Sequence, residues 1–435
     1  RSNRYPFNPQ VKKYISHFYA LALSQTAKST YLTTFGAGLN AFLGFIFTIV
    51  VARSISPANF GLFSVVMNLL VILFVICDIG LSSSVLRFLP QAIREGSKEK
   101  AREILKLSFL ATLLISGLLA ILLAAFSEPI ANLVFTKSEL SLPLTIVSVS
   151  LLGISLTYLF VAVLQGQQRF LFGVITETSI AFLKVVATLG LLISGRLNLI
   201  SVLVVYSLTS FTGLILGFLF IRPDFLFAKT NLKLAKTLFG FGIWIALARI
   251  ANSISGKIDT LMLIRFVETA QVGFYAAAQR MTFIFPVMVG GMTVVLSPKF
   301  ASLKTLTEVK SFMKKSSLLI SSLFLPVVLL FVLAPWITIW IYGQVYQPSI
   351  YIFRWLLLSS SFFIASAIPI TIIIYFLGES RFFAVLSLLQ LLIIVLANLV
   401  LIPKLGVIGP AISLAIAYGA IFIISMFFVF KKFHQ

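Results

Sequence analysis

Charged side chains and cysteine are scarce in this chain of 435 residues. Only 11% of the residues are Asp, Glu, Lys or Arg, and the chain has a single cysteine, Cys77, and only two histidines, His17 and His434. One cysteine excludes an intramolecular disulfide, and so few thiols and imidazoles exclude a zinc site and a cysteine–histidine nucleophile. So little charge also excludes an ordinary water-soluble surface.

Acidic residues are the scarcest charged class. Twelve Asp and Glu stand against 34 Lys and Arg, which gives a net charge of +22. In a soluble protein this balance would suggest nucleic acid as a partner. Here 60% of the residues are hydrophobic and the mean hydropathy is +1.08, so we expect a chain embedded in lipid, with membrane lipids as its surroundings and no nucleic acid.

Apolar stretches that can cross a bilayer recur along the whole chain. A hydrocarbon core of roughly 30 Å needs about 20 apolar residues in a helix, and the continuous runs here exclude the alternating pattern of a membrane barrel. We therefore predict an all-α integral membrane protein with twelve transmembrane helices, near residues 30–52, 60–84, 107–126, 143–165, 171–194, 198–221, 238–258, 272–297, 316–339, 354–377, 383–402 and 408–430.

The distribution of basic residues predicts the orientation of these helices. With the N-terminus inside, the predicted cytoplasmic segments hold twenty-four Lys and Arg, whereas the loops on the other side hold five: Arg53, Lys137, Arg196, Arg265 and Lys404. Cytoplasmic loops are enriched in Lys and Arg. Both termini are therefore expected in the cytoplasm.

Residues 1–29 form a basic N-terminal segment that is expected to be cytoplasmic. Apolar residues recur in it at helical spacing, which predicts an amphipathic helix on the membrane surface. A soluble basic tail is the alternative. The residues that carry the pattern are Val11, Tyr14, Ile15, Phe18 and Tyr19, beside Lys12 and Lys13.

The second half of the chain repeats the first. A shift of 212 positions places Arg53 on Arg265 and Gly61 on Gly273, and a shift of 206 places Pro129 on Pro335. Because each half would contain six helices, both halves have the same orientation. We predict two parallel six-helix bundles, residues 30–221 and 238–430, around a central cleft, with a cytoplasmic linker at 222–237 and a cytoplasmic tail at 431–435.

Several short motifs identify a family resemblance that covers essentially the whole chain. They are residues 52–63 (ARSISPANFGLF), 78–81 (DIGL), 86–88 (LRF), 166–170 (GQQRF) and 402–409 (IPKLGVIG). This set resembles polysaccharide-repeat exporters, the Wzx-type O-antigen flippases of the MATE-like MOP exporter superfamily.

The resemblance implies a two-lobed fold in the inner (cytoplasmic) membrane and alternating access. It implies a flippase, not an enzyme, that moves an undecaprenyl diphosphate-linked oligosaccharide to the outer leaflet, without a cofactor. We expect a monomer. Related lipid II flippases usually have fourteen helices, so the two that are lacking here argue against the peptidoglycan precursor as cargo.

Basic residues inside the predicted spans indicate where an anionic cargo would bind. Burying one Lys or Arg at the bilayer centre costs roughly 2.5–3.5 kcal/mol, so each must face water, a partner or the interface. One polar stripe of the seventh span includes Arg249, Asn252 and Lys257, and Arg280 replaces Asn68 at the shifted position. The predicted substrate-binding residues are Arg249, Arg280, Lys184, Lys257, Arg354 and Asn252, with an interfacial position as the alternative for Lys257 and Arg354.

Three acidic residues are candidates for coupling or gating: Asp78, Glu177 and Asp259. A carboxylate inside a membrane could exchange H⁺ or bind Na⁺ during transport. For Asp78 the alternative is a structural contact with Arg87 or with a nearby helix terminus, and for Glu177 it is a buried counter-ion.

Competing functions predict other residues. A MATE-type ion-coupled exporter of drugs or metabolites would favour acids in its cleft, whereas the spans contain five bases and two acids. A membrane glycosyltransferase or polymerase would need a large outer loop with acids or histidines, and residues 127–142 offer only Glu128 and Glu139. An inert scaffold does not explain Arg249.

Overall fold

The chain forms a bundle of long helices. The computed structural model describes residues 25–434, and every regular element among them is a helix or a helical turn. This confirms the predicted all-α class. The expected amphipathic helix near residues 11–19 lies outside the described residues.

Two series of helices follow one another, and we call residues 25–220 the first half and residues 232–434 the second half. The first half contains α1 (Gln25–Ser54), α2 (Pro57–Asp78), α3 (Leu81–Arg94), α4 (Lys98–Ala125), α5 (Ser141–Ser148), α6 (Ser150–Gly166), α7 (Phe170–Ile193) and α8 (Leu199–Phe220). The second half contains α9 (Leu232–Ser255), α10 (Ile258–Phe266), α11 (Thr269–Thr282), α12 (Ile284–Ser302), α13 (Leu306–Ser321), α14 (Phe324–Tyr342), α15 (Ser349–Thr371), α16 (Ser380–Leu405) and α17 (Gly409–His434).

These helices make a multi-pass membrane protein. Among residues 25–434, ten helical stretches are long and apolar enough to cross a bilayer, or eleven if the bent pair α5 and α6 counts as one span. The last stretch, 381–434, contains both α16 and α17, which are separated by the turn Gly406–Ile408. The total of twelve, and the division into two bundles and a linker, stay predictions.

Several helices extend beyond the predicted apolar spans, because polar residues at a membrane interface can be helical too. The span predicted at 316–339, for example, lies within α13 and α14. α13 begins with a capping box, in which Thr305 and Glu308 each bind the other's backbone amide. Hydropathy marks the part of a helix in hydrocarbon and not its capped ends.

The second predicted span, 60–84, is broken. α2 ends at Asp78, and Ile79 and Gly80 adopt left-handed φ angles of 39° and 73° before α3 begins at Leu81. The Asp78 carboxylate accepts hydrogen bonds from the amide and hydroxyl of Ser82, at 3.1 and 2.5 Å. It therefore caps the start of α3. Hydropathy averaged over about 20 residues does not resolve a break of two residues, which is why the predicted span continued through it.

The eighth predicted span, 272–297, is interrupted between α11 and α12. The interruption lies at Phe283, three residues before Pro286. A proline ring collides with the carbonyl group four residues earlier, which here belongs to Thr282. The first helix therefore ends at that residue.

Short connections place successive helix ends on two opposite faces of the bundle. The near face is the one that contains the start of α1, the α3–α4 connection and the end of α17. The far face is the one that contains the α1–α2 and α10–α11 connections. α2 and α11 form the most extensive contact between the halves. Towards the near face, α9 of the second half packs on α2 and α3 of the first half. Under the repeat, α1 corresponds to α9 and α12 corresponds to α3, but α1 and α12 make no contact comparable to that between α9 and α3.

Glycine makes the near-face contact possible. A Cβ atom on Gly80 would lie 2.1 Å from the carbonyl oxygen of Gly242. Beside it, the Ser84 hydroxyl donates a hydrogen bond to the Leu238 carbonyl at 2.7 Å. The backbones of α3 and α9 thus touch directly.

Replacing Gly80 by Ala is expected to lower the stability of the folded protein. The left-handed conformation costs a residue with a Cβ roughly 1–2 kcal/mol, and the new methyl group would also collide with Gly242. The measurement is the thermal unfolding midpoint of the purified protein in detergent. Gly38→Ala in α1 is the matched control, because nothing lies within 4 Å of its added Cβ. Equal midpoints for the two variants would contradict the packing described.

Candidate functional site

A polar cavity lies between the two halves. It has a volume of about 390 Å³, and α2, α9, α11, α12, α15 and α17 form its walls. We call it the Arg280 cavity. Its polar lining residues are Ser64, Asn68, Asn252, Ser253, Lys257, Gln279, Arg280, Thr282, Ser359, Ser360 and Tyr418.

Arg280 is a cation without a partner in this cavity. Its side chain is exposed, and within residues 25–434 it makes no hydrogen bond or ion pair. Lys257, at the break between α9 and α10, lines the same cavity and is near enough to Arg280 to interact with it electrostatically. Positive charge that is not neutralised by the protein, inside a membrane, attracts an anion.

The two halves contribute different chemistry to the cavity. Asn68 and Arg280 are equivalent under the 212-residue shift, and both line the Arg280 cavity. One half therefore provides an uncharged amide where the other provides a guanidinium. The binding surface is asymmetric although the helices repeat.

The polar stripe of α9 divides between two environments. Asn252, Ser253, Gly256 and Lys257 line the Arg280 cavity, as expected from their spacing. Arg249 is not among the lining residues. The structure thus brings three of the predicted binding residues together, namely Asn252, Lys257 and Arg280.

Arg249 instead joins the two halves through an ion pair. Its Nη1 donates to Oδ2 of Asp78 at 2.7 Å, and its Nη2 donates to the Tyr158 hydroxyl at 3.1 Å. The side chain of Asp78 is 6% exposed and that of Arg249 is 29% exposed. Asp78 also caps α3, in line with the structural alternative of a helix terminus. Arg87, the other anticipated partner, stacks 4.3 Å from the Phe241 ring.

Asp259 is buried behind the Arg280 cavity, with a relative exposure of 1%. It accepts hydrogen bonds from the Tyr275 hydroxyl at 2.5 Å, the Gln279 amide at 2.8 Å and the Thr260 backbone amide at 2.8 Å. These donors stabilise the carboxylate and orient Gln279 at the cavity wall. The predicted coupling role of Asp259 stays a prediction.

A second cavity, of about 490 Å³, lies within the first half, and we call it the Lys184 cavity. The Lys184 ammonium is 4.1 Å from the ring centre of Tyr206 and 5.5 Å from that of Phe47, so aromatic faces stabilise it. Glu177 lines the same cavity and accepts a hydrogen bond from Asn40 at 3.4 Å. As expected from their separation, Lys184 and Glu177 form no ion pair among the described residues.

Arg354 lies apart from the other predicted binding residues. Its Nε donates to the Phe331 carbonyl at 3.2 Å, and its guanidinium carbon is 5.2 Å from the Phe331 ring centre. It lines a mostly apolar groove of α14 and α15 that includes Tyr351 and Trp355. This environment fits the interfacial alternative.

Sequence reasoning missed Gln279, Tyr418 and Tyr158. Gln279 had a signal, since it is a polar residue inside an apolar span and precedes Arg280. Tyr418 and Tyr158 had none, because an isolated tyrosine in a membrane helix more often faces lipid or core. Only the packing of the helices brings Tyr158 to Arg249.

Comparisons with known proteins agree with this architecture. Residues 26–304 match the family described as "Polysaccharide biosynthesis protein". A Shigella flexneri protein, provisionally described as an O-antigen transporter, is 25% identical over 395 residues, which cover 86% of this chain and 89% of that protein.

Two solved structures share the fold over 91% and 92% of the chain. An inward-facing multidrug-resistance MATE transporter of the MOP superfamily superposes with a TM-score of 0.76 at 12% identity, over 91% of this chain and 94% of that one. The lipid II flippase MurJ, in an inward closed conformation, gives a TM-score of 0.73 at 17% identity, over 92% and 87%. These likenesses show the fold, a MOP-type helical bundle.

Removing either partner of the Asp78–Arg249 pair is expected to destabilise the protein, because the other charge would be left buried. In a double-mutant cycle of Asp78→Ala and Arg249→Ala, we expect a coupling energy of about 1–3 kcal/mol. The measurement is the free energy of unfolding in detergent.

The matched control is the exposed pair Arg102–Asp224, whose side chains are 50% and 51% exposed. Its coupling energy is expected at about 0–1 kcal/mol, because water screens surface pairs. Additive effects of Asp78→Ala and Arg249→Ala would show that the ion pair does not join the halves.

Proposed function

The chain belongs to the polysaccharide biosynthesis protein family, and we propose that it is a flippase for a lipid-linked oligosaccharide. In this proposal it moves an oligosaccharide on an undecaprenyl diphosphate-type carrier from the inner to the outer leaflet by alternating access. The observation that carries the proposal is an arginine, Arg280, that lines a polar cavity between the halves and has no hydrogen bond or ion pair among residues 25–434.

The chemistry of this cavity suits a diphosphate. A guanidinium forms short, charge-assisted hydrogen bonds with phosphate oxygens and replaces the hydration that they lose on entering the bilayer. Lys257 adds a second positive charge beside Arg280. Asn252, Gln279 and Ser360 offer neutral donors and acceptors for sugar hydroxyls.

A lipid-linked cargo also needs a lateral opening, because its hydrocarbon chain stays in the membrane. Towards the near face, α9 closes one side of the bundle against α2 and α3, whereas the equivalent helices α12 and α1 make no comparable contact. We place the path of the lipid chain on that open side. The head group then moves between the halves while the chain follows in lipid.

We place the protein in the inner membrane as a monomer, with the near face in the cytoplasm. It acts as a transporter without a cofactor and without catalysis. H⁺ or Na⁺ could couple transport through Glu177 or Asp259, while Lys184 contributes a further charge for the cargo.

A MATE-type exporter of organic cations is the second candidate function. The observation in its favour is Glu177, a carboxylate that lines the Lys184 cavity and has no cationic partner among residues 25–434. Arg280 and Lys257 in the central cavity oppose it, because they repel cations. Competition between an organic cation and a lipid-diphosphate sugar for transport would separate the two functions.

Replacing Arg280 by Ala is expected to reduce flipping by roughly tenfold or more, since a hydrogen bond to a charged group is worth about 1.5–3 kcal/mol. Arg280→Lys should retain part of the activity. The measurement is the transfer of a labelled lipid-diphosphate oligosaccharide between leaflets of reconstituted vesicles, with and without H⁺ and Na⁺ gradients.

Arg354→Ala is the matched control, because Arg354 lies outside both cavities. Its flipping rate should equal that of the parent protein. Unchanged flipping by a folded Arg280→Ala protein would refute the proposed role of the cavity. No flipping by the parent protein would refute the function itself.

A further inference from the structure

The two halves meet at the far face through equivalent residues. Gly61 of α2 and Gly273 of α11 are related by the 212-residue shift and are both buried. A Cβ atom on Gly61 would lie 2.1 Å from the Thr269 carbonyl oxygen, and one on Gly273 would lie 2.0 Å from that of Pro57. The two helices thus cross in backbone contact, about a local two-fold axis.

A pair of arginines surrounds this crossing in the same symmetric manner. Arg53, in the last turn of α1, donates from Nε to the Ile341 carbonyl at 2.7 Å and from Nη2 to the Trp340 carbonyl. Trp340 and Ile341 belong to the last turn of α14, in the second half. Arg53 therefore crosses from the first half to the second.

Arg265 makes the equivalent contact in the opposite direction. It lies in the last turn of α10, in the second half. Its Nη1 donates to the carbonyls of Leu133 and Val134, the last two residues of the short helical segment Ile130–Val134, at 3.2 and 3.1 Å. The 206-residue shift places Val134 on Trp340. Each arginine thus binds the same place in the other half.

From this symmetry we propose that Arg53 and Arg265 form a two-part clasp that holds the far face closed and must release before that face opens. Carbonyls at the end of a helix lack intrahelical partners and carry partial negative charge. Both arginines are exposed, and neither forms an ion pair among residues 25–434. Water can therefore replace the carbonyls on opening, which keeps the clasp reversible.

One further bond makes the closure asymmetric. The buried Tyr346 hydroxyl donates to the Ala52 carbonyl at 2.9 Å, next to Arg53. The equivalent of Tyr346 under the 206-residue shift is Leu140, which has no donor. The Tyr346 bond stays in place when Arg53 is lost, whereas no equivalent bond remains when Arg265 is lost, so loss of Arg53 should weaken the closure less than loss of Arg265.

Thiol labelling can test the clasp. Cys77→Ala removes the single cysteine, and Ser64→Cys then places a reporter in α2, one turn below Gly61 in the wall of the Arg280 cavity. Ser64 is 7% exposed. A membrane-impermeant thiol reagent applied at the far face of reconstituted vesicles should react with it slowly while the clasp is closed.

Combining Arg53→Ala with Arg265→Ala is expected to raise the labelling rate by roughly tenfold or more, because several hydrogen bonds to charged groups are lost. Each single variant should give a smaller increase. Gly61→Ala should also raise the labelling rate, because its added Cβ would push α2 and α11 apart at the crossing. If the double Ala variant does not fold, the corresponding Lys variants carry the test, since they keep the charge but lose the two-pronged geometry.

Arg196→Ala is the matched control. Arg196 is an exposed arginine at the far end of α7, and among the described residues its side chain has no hydrogen bond or ion pair. The control should label like the parent, and an exposed reporter, Ser194→Cys, shows that the reagent reaches the far face. Equal labelling of the parent and the clasp variants would overturn the proposal.

The clasp rests on the alternating access of the proposed function, but the two can fail separately. Labelling needs no cargo, so unchanged labelling counts against the clasp alone. Absence of flipping in the parent protein, together with faster labelling of the clasp variants, would count against the cargo alone.

Discussion

An ionised side chain inside a bilayer must find water, a counter-charge or a polar substitute for them, and this constraint organises the interior of the protein. The basic residues meet it in different ways. Arg249 pairs with Asp78, Lys184 lies against aromatic faces, and Arg354 binds a backbone carbonyl. Arg280 and Lys257 line one polar cavity between the halves, and neither forms an ion pair with an acid among residues 25–434. That difference makes Arg280 and Lys257 the main charges for binding a cargo in the proposed function.

Close backbone contact at glycines is the second determinant of the structure. Gly80 meets Gly242 towards the near face, and Gly61 meets Gly273 at the far face. In lipid there is little hydrophobic force between helices, so close approach and hydrogen bonds must hold the halves together. Such contacts are short, local and separable. They suit a protein whose halves move relative to each other as largely rigid bodies.

The two faces are closed by different chemistry. Towards the near face an arginine is neutralised by a carboxylate that also caps α3, so the pair belongs to the permanent fold of the broken second span. At the far face, arginines meet neutral helix-end carbonyls. Exchange of a carbonyl for water costs far less than exposure of an unpaired buried charge. This difference favours opening of the far face without loss of structure at the near face.

The fold class and the bases inside apolar runs could be predicted from the sequence, because hydropathy is read over a short window of the chain. The repeat could be predicted too, because it is visible as a fixed shift of 212 positions. Motifs in the sequence also indicated the family. The prediction that Asn252 and Lys257 lie on one face rested on helical spacing, whereas Arg280 was predicted as a base inside an apolar span.

The partner of each charged side chain depends on how the helices pack. Arg249 lies in α9 and Lys257 follows the end of that helix, on one predicted stripe. Only Lys257 lines the Arg280 cavity, because Arg249 pairs with Asp78 at the end of α2. Periodicity describes one helix at a time. Contacts between helices far apart in sequence depend on crossing geometry, which no single segment encodes.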